Sequence, residues 1–98
     1  MISLAAVRGD VKSTAAPRPD VTIAGFAFGP SKHAGTAGQP VTWLNTDDSP
    51  HQVTIVSTKE RSPILTKGQS AVMAFNTAGT YQYICGLHPS MKGTIEVK

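Results

Sequence analysis

From Val21 to Val97 the chain alternates apolar and polar residues in short runs broken by turn-forming ones. Val21-Thr22-Ile23-Ala24-Gly25-Phe26, Val41-Thr42-Trp43-Leu44-Asn45 and Gln52-Val53-Thr54-Ile55-Val56 each put every second side chain on an apolar face. A period of two predicts strands buried on one side. The last two runs are separated by Asp47-Asp48-Ser49-Pro50, which reads as a turn. Ala71-Val72-Met73-Ala74-Phe75 and Tyr81-Gln82-Tyr83-Ile84-Cys85 flank Thr77-Ala78-Gly79, so they form either a hairpin or a tight corner between sheets. Thr94-Ile95-Glu96-Val97 supplies a last strand. Most of the seven prolines and nine glycines fall between these runs, and no long segment carries a helical period. The expected fold is all-β, a sandwich or barrel of short strands.

Residues 1–20 differ: they are rich in Ala, Pro, Ser and charge, without periodicity beyond Val7, and read as a flexible N-terminal extension or edge strand. Met1 to Val7 resembles the end of an export segment but is too short and lacks a basic region before it, so an intact signal peptide is not expected. A chain of 98 residues is one small domain whose core gives marginal stability, so a staple would help. The single cysteine cannot close an internal disulfide, which leaves a metal, a free thiol or an intermolecular bridge. No apolar run approaches the roughly 20 residues needed to span a bilayer. The net charge of +3 is scattered over Lys32, Lys59, Arg61, Lys67, Lys92 and Lys98 rather than clustered on one element, which argues against a nucleic-acid partner.

The chemistry concentrates in Cys85-Gly86-Leu87-His88-Pro89-Ser90-Met91. Cys85 ends a strand, and His88 and Met91 follow on the next loop, so thiolate, imidazole and thioether share one turn at one end of the fold. These soft, unlike donors suit copper cycling between Cu(I) and Cu(II); two His and one Cys in a plane with a distant Met is the blue-copper arrangement. His51, after Ser49-Pro50 at the start of another strand, is placed to bring the second imidazole to that end. Taken singly, a strand-end Cys is more often a small buried hydrophobe and a loop His is usually solvated. Spacing, turn and the distant Pro-His together favour the metal. Met73, Trp43 and Phe26 read as core, His33 as an exposed loop residue, and Asp47 and Asp48 as turn residues.

Gly38-Gln39-Pro40-Val41-Thr42-Trp43-Leu44-Asn45, Ser49-Pro50-His51, Ala78-Gly79-Thr80-Tyr81-Gln82-Tyr83-Ile84-Cys85 and Cys85-x-x-His88-x-x-Met91-x-Gly93 together resemble the cupredoxins, nearest the amicyanin branch, with plastocyanin and pseudoazurin as wider relatives. The spacing of two and two after the cysteine matches the short ligand loop of that branch. The resemblance implies a single-domain Greek-key β-sandwich over residues 21–98. It also implies one type 1 copper held by His51, Cys85, His88 and Met91, and single-electron transfer in a periplasmic or otherwise exported compartment. On that reading the chain is a monomeric carrier and not an enzyme, meeting transient redox partners such as a dehydrogenase, cytochrome or oxidase. Pro50, Leu87, His88 and Pro89 would form an apolar docking patch, with Lys92, Lys59 or Lys67 steering an acidic partner.

Three positions depart from the family pattern. Gln52 stands where relatives have Asn, and Gly86 where they usually have Thr or Ser, so the side-chain tie between the two ligand loops is lost and a looser rim is expected. The backbone N–H of Gln52 is still expected to reach the Cys85 sulfur. Leu87 replaces the usual Pro. If its N–H points at that sulfur it raises the potential, and Leu87→Pro lowers it. The main rival is a copper carrier or delivery protein with the same ligands. A cysteine hydrolase lacks a positioned third group, a copper oxidase lacks His-x-His pairs, and a thioether is a poor zinc ligand.

Overall fold

The computed structural model describes residues 19–98. Among them eight strands form: β1 Val21–Ala24, β2 Ala27–Gly29, β3 Lys32–Gly35, β4 Pro40–Asn45, β5 Val53–Ile55, β6 Ser70–Ala74, β7 Gly79–Cys85 and β8 Lys92–Val97. They make two four-stranded sheets, in the orders β2-β1-β4-β6 and β3-β8-β7-β5. The pairs β1 with β4 and β3 with β8 are parallel, the rest antiparallel. The chain changes sheet five times, at every connection from β2 to β7, which is the crossed connectivity of a Greek-key sandwich. The expected residue 1–20 extension falls almost wholly outside the described residues.

The alternation read in the sequence is the burial pattern. Val21 and Ile23, Val41 and Trp43, Val53 and Ile55, and Tyr83 and Cys85 face inward, nearly or fully buried, while Thr22, Thr42, Thr54 and Ile84 face out. Met73 is core as expected. Thr77-Ala78-Gly79 is the corner and not a hairpin, since β6 and β7 lie in different sheets. Phe75 and Tyr81 stack across it at 4.8 Å, and the Tyr81 hydroxyl donates to the Thr77 carbonyl at 2.6 Å.

Two strands go beyond the sequence reading. The run from Val21 stops at Ala24 because Gly25 and Phe26 take φ of 60° and 58°, turning the chain through a two-residue loop into β2. Two positive φ values give the twist that a tight hairpin needs. β3 is an edge strand of small and polar residues, held by parallel pairing to β8, so it needs no apolar face of its own. His33 is accordingly part of a strand, half-buried and 3.9 Å from Asp20, rather than an exposed loop residue.

At the centre, Tyr83 is fully buried edge-on against Phe28 at 4.6 Å and Trp43 at 5.4 Å, and its hydroxyl makes no hydrogen bond. Desolvation pushes its pKa up to about 12, with a smaller opposing pull from the Trp43 indole. An unfolded tyrosine ionises near pH 10, so the stability linked to keeping Tyr83 neutral is complete below about pH 10 and disappears as pH rises toward 12. That difference amounts to about 2–3 kcal/mol. Tyr83→Phe is expected to hold neutral stability or raise it slightly and to flatten the alkaline loss, as read from denaturant unfolding at pH 7 and pH 11.

Candidate metal centre

The loop that carries His51 is built by Asn45, the fully buried last residue of β4. Its Nδ2 donates to the carbonyls of Ser49 at 3.0 Å and Leu65 at 2.8 Å, and its Oδ1 accepts the Asp47 N–H at 2.8 Å. A β4-β5 connection of seven residues is thereby folded back on itself, and His51 is delivered to the sandwich end just before β5 begins. Reciprocal backbone bonds to Leu65, of 3.0 and 2.7 Å, pin its main chain, and its side chain is fully buried.

The second loop is a tight turn. The His88 N–H donates to the Cys85 carbonyl at 3.2 Å, the Met91 N–H to the His88 carbonyl at 2.9 Å, and the Cys85 N–H to the Met91 carbonyl at 3.1 Å. This ladder returns the chain to β8 and keeps Cys85, His88 and Met91 together. Cys85 and Met91 are buried and His88 is half-buried. Gly93 follows because Tyr83 lies across it: a Cβ there would overlap the tyrosine ring and hydroxyl.

The two loops bring ligand atoms of His51, Cys85 and His88 to within 4.8 Å of one another. Cys85 Sγ lies 3.6 Å from His51 Nδ1 and 3.7 Å from His88 Nδ1. A metal bonded to sulfur at about 2.3 Å and to nitrogen at about 2.0 Å in a trigonal plane separates the two donors by about 3.7 Å. The donor set therefore fits a cation that would be held by two imidazoles and one thiolate. Met91 is buried in the same turn.

What orients His51 was not legible in the sequence. Its Nε2 lies 2.9 Å from Asp47 Oδ2. A carboxylate accepts, so Nε2 carries the proton and Nδ1 presents its lone pair toward Cys85. The same carboxylate accepts the N–H groups of Gly25 at 2.7 Å and Phe26 at 2.9 Å. Asp47 is held below the usual carboxylate range, first by the Phe26 N–H and then by those of Gly25 and His51, against a desolvation cost. The tie fixes the β1-β2 turn over the site. The Phe26 ring meets His51 edge-on at 5.2 Å and His88 at 5.0 Å, and it is half exposed. Phe26 is thus a neighbour of both imidazoles and not a core residue, and Asp47 is more than a turn residue. The one local signal was Gly25, which permits the positive φ at the start of such a turn.

The expected N–H donor to sulfur is present: Gln52 N lies 3.4 Å from Cys85 Sγ. Leu87 is not a donor to that sulfur, so the expected lowering of the potential by Leu87→Pro loses its basis. Nor are the loops untied by the Gln52 and Gly86 departures. The Gly86 N–H donates to the Gln52 carbonyl at 3.0 Å, and the Gln52 Nε2 donates to the Ser62 carbonyl at 3.0 Å. The Gln52 carboxamide occupies the space a side chain at 86 would need; a Cβ there would overlap Gln52 Oε1 and lie 3.0 Å from Thr54 Oγ1. The longer Gln and the missing side chain at 86 are two halves of one fit. Gly86→Ala is expected to push Gln52 off Ser62 and cost about 1 kcal/mol, seen as a fall in Tm of about 4–8 °C.

Around His88 the surface is apolar: Pro50 and Pro89 are exposed, and Leu87 is 41% exposed. Among the described residues no helix is long and apolar enough to cross a membrane.

The profile of the cupredoxin-like domain family matches residues 1–97. Amicyanin-alpha of Methylorubrum extorquens is 37% identical over 93 residues, covering 90% of this chain and 78% of that protein. Amicyanin of Paracoccus denitrificans is 36% identical over 66 residues, and there the match spans 62% of this chain and only half of the relative's length. Plastocyanin of Scenedesmus fuscus is 35% identical over 74% of this chain and 88% of its own. Among solved structures, the reduced Cu(I) form of an amicyanin variant superposes with a TM-score of 0.79 at 30% identity, over 87% of this chain and 86% of that one. The sandwich, its site and these likenesses agree: the chain belongs to the cupredoxin-like domain family.

Proposed function

We propose that the chain is a single-electron carrier, not an enzyme, which binds one type 1 copper through His51, Cys85, His88 and Met91 and passes electrons between redox partner proteins. The observation that carries this reading is the spacing of Cys85 Sγ from the two Nδ1 atoms, 3.6 and 3.7 Å, which is already that of a trigonal metal site. The copper supplies the Cu(I)/Cu(II) couple. The protein's part is to hold the donors still between the two states. His51 is fixed at Nε2 by Asp47, and Cys85 Sγ is fixed by the Gln52 N–H. That N–H also draws charge from the thiolate, which favours the reduced state.

His88 is the half-buried edge of the site, and the apolar rim of Pro50, Leu87 and Pro89, with Phe26 beside them, offers partners a small, quickly released contact. The amicyanin and plastocyanin likeness supports an exported, periplasmic setting.

A copper delivery protein with the same ligands is the second reading. The His51 imidazole and the Cys85 thiolate are buried and separately anchored, which disfavours ready metal exchange. Addition of Cu(II) to the purified chain decides. The electron-carrier reading expects one equivalent to give an intense blue colour that bleaches on reduction, returns on oxidation and resists chelators. A colourless complex, or one stripped quickly by a chelator, would favour delivery.

A further inference from the structure

The outer face of the second sheet carries two adjoining hollows apart from the His88 rim. One, of about 630 Å³, is lined by Lys32, Val56, Ile84, Lys92 and Thr94 among others. The other, of about 330 Å³, includes Thr54, Lys59, Arg61 and Ile84. Ile84 is the wall they share, and in the strand register it stands between Thr54 of β5 and Lys92 of β8. Four of the six lysines and arginines in residues 19–98 thus rim one face.

Of these four, Lys32 is paired with Glu96 at 3.1 Å, while Lys59, Arg61 and Lys92 make no ion pair among the described residues. The other acids lie elsewhere. Asp47 and Asp48 belong to the His51 loop, Asp20 sits by His33, and Glu60 lines a separate hollow beside Phe75 and Tyr81. The face therefore has an apolar middle, Ile84 with the 42% exposed Val56, and a basic rim. That is the layout of a protein interface whose charges choose the partner and speed its arrival.

We propose that this face docks an acidic protein, seated on Ile84 and Val56 and held by Lys59, Arg61 and Lys92, separately from the apolar rim around His88. A protein fits better than a nucleic acid, because neither Ile84 nor Val56 offers a ring on which a base could stack. The purpose of the face rests on the electron-carrier reading: Ile84 directly precedes Cys85, so a partner seated here lies one peptide from the sulfur.

The test uses the copper-loaded, reduced, 15N-labelled protein titrated with poly-L-glutamate at low salt. Amide shifts are expected to cluster at residues 54, 59–61, 82–84 and 92–94 and to fade as ionic strength rises to about 0.3 M. The double variant Arg61→Glu with Lys92→Glu is expected to weaken binding about tenfold, the neutral pair Arg61→Gln with Lys92→Gln less. The single Lys92→Glu should already weaken binding measurably, whereas the charge-matched Lys98→Glu should stay near the parent protein. Shifts centred on the His88 rim, or an equal loss in the matched control, overturn the proposal. So does tighter binding of a single-stranded oligonucleotide of equal length to the same face. Colour and reversible one-electron oxidation by ferricyanide are read on the same samples. A protein that stays colourless after ferricyanide oxidation counts against the electron-carrier reading, whereas one that turns blue reversibly but binds poly-L-glutamate elsewhere counts against the docking face alone.

Discussion

Exchanging Cys85 for Ser is expected to abolish the blue colour of the Cu(II) protein while leaving the apo fold in place. The sulfur is fully buried, meets both imidazoles at 3.6 and 3.7 Å and accepts the Gln52 N–H. Only a thiolate gives the strong charge-transfer colour of such a site, and a buried serine hydroxyl stays protonated and is a poor copper ligand. Copper affinity is therefore expected to fall by more than the roughly 10–100-fold that follows loss of an outer hydrogen-bonding partner. Serine is close to cysteine in shape, and the Gln52 N–H retains an acceptor, so the apo protein should lose no more than about 1–2 kcal/mol. Visible titration with Cu(II) and thermal melts of the apo form, each against the parent chain, check both halves. A variant that stays blue would mean that Cys85 is not a ligand.

The parts of this centre that were legible in the sequence are those whose geometry is local. Cys85, His88 and Met91 fall within one turn, and the alternation of β7 dictates that Cys85 faces inward with Tyr83. His51 could be placed at the same end because a strand start follows it, although the resemblance was needed to join it to the set. Phe26 and Asp47 were misread for a common reason. Their contact spans 21 residues of chain and depends on Phe26 taking a left-handed φ of 58°, which residue type alone argues against. An aromatic at the end of an alternating run looks like core until the turn is known.

The same distinction holds for the strands. β1, β4, β6 and β7 bury one face and so announce themselves. β3 survives on its parallel pairing with β8, a tertiary contact with no periodic trace in Lys32-His33-Ala34-Gly35. The Gln52 and Gly86 departures were visible, but not their consequence, because the sequence cannot say that the longer carboxamide fills the place of the missing side chain.

Asp47→Ala is expected to weaken fold and metal site together. One carboxylate accepts the Gly25 and Phe26 N–H groups and the His51 Nε2 proton. Its removal leaves the β1-β2 turn without its tie while Phe26 still bears a strained backbone, and leaves a fully buried imidazole with an unpaired N–H. The loss expected is about 2–3 kcal/mol in the apo protein. Freed of its acceptor, the imidazole can exchange tautomers and present a protonated Nδ1 to the centre, so copper affinity should fall about 10–100-fold. Asp47→Asn keeps the shape and one oxygen acceptor and should recover part of both effects. The pH dependence has a defined sign. Because the folded carboxyl sits below its ordinary value, its stabilisation is complete above about pH 4 and is lost as pH falls through the lowered folded value. Asp47→Asn should therefore flatten the acid limb of the stability profile. Apo melts between pH 3 and pH 7, paired with competitive copper titration at pH 7, separate the roles: lower stability with unchanged affinity would leave Asp47 as a tie for the turn alone, without a hold on His51.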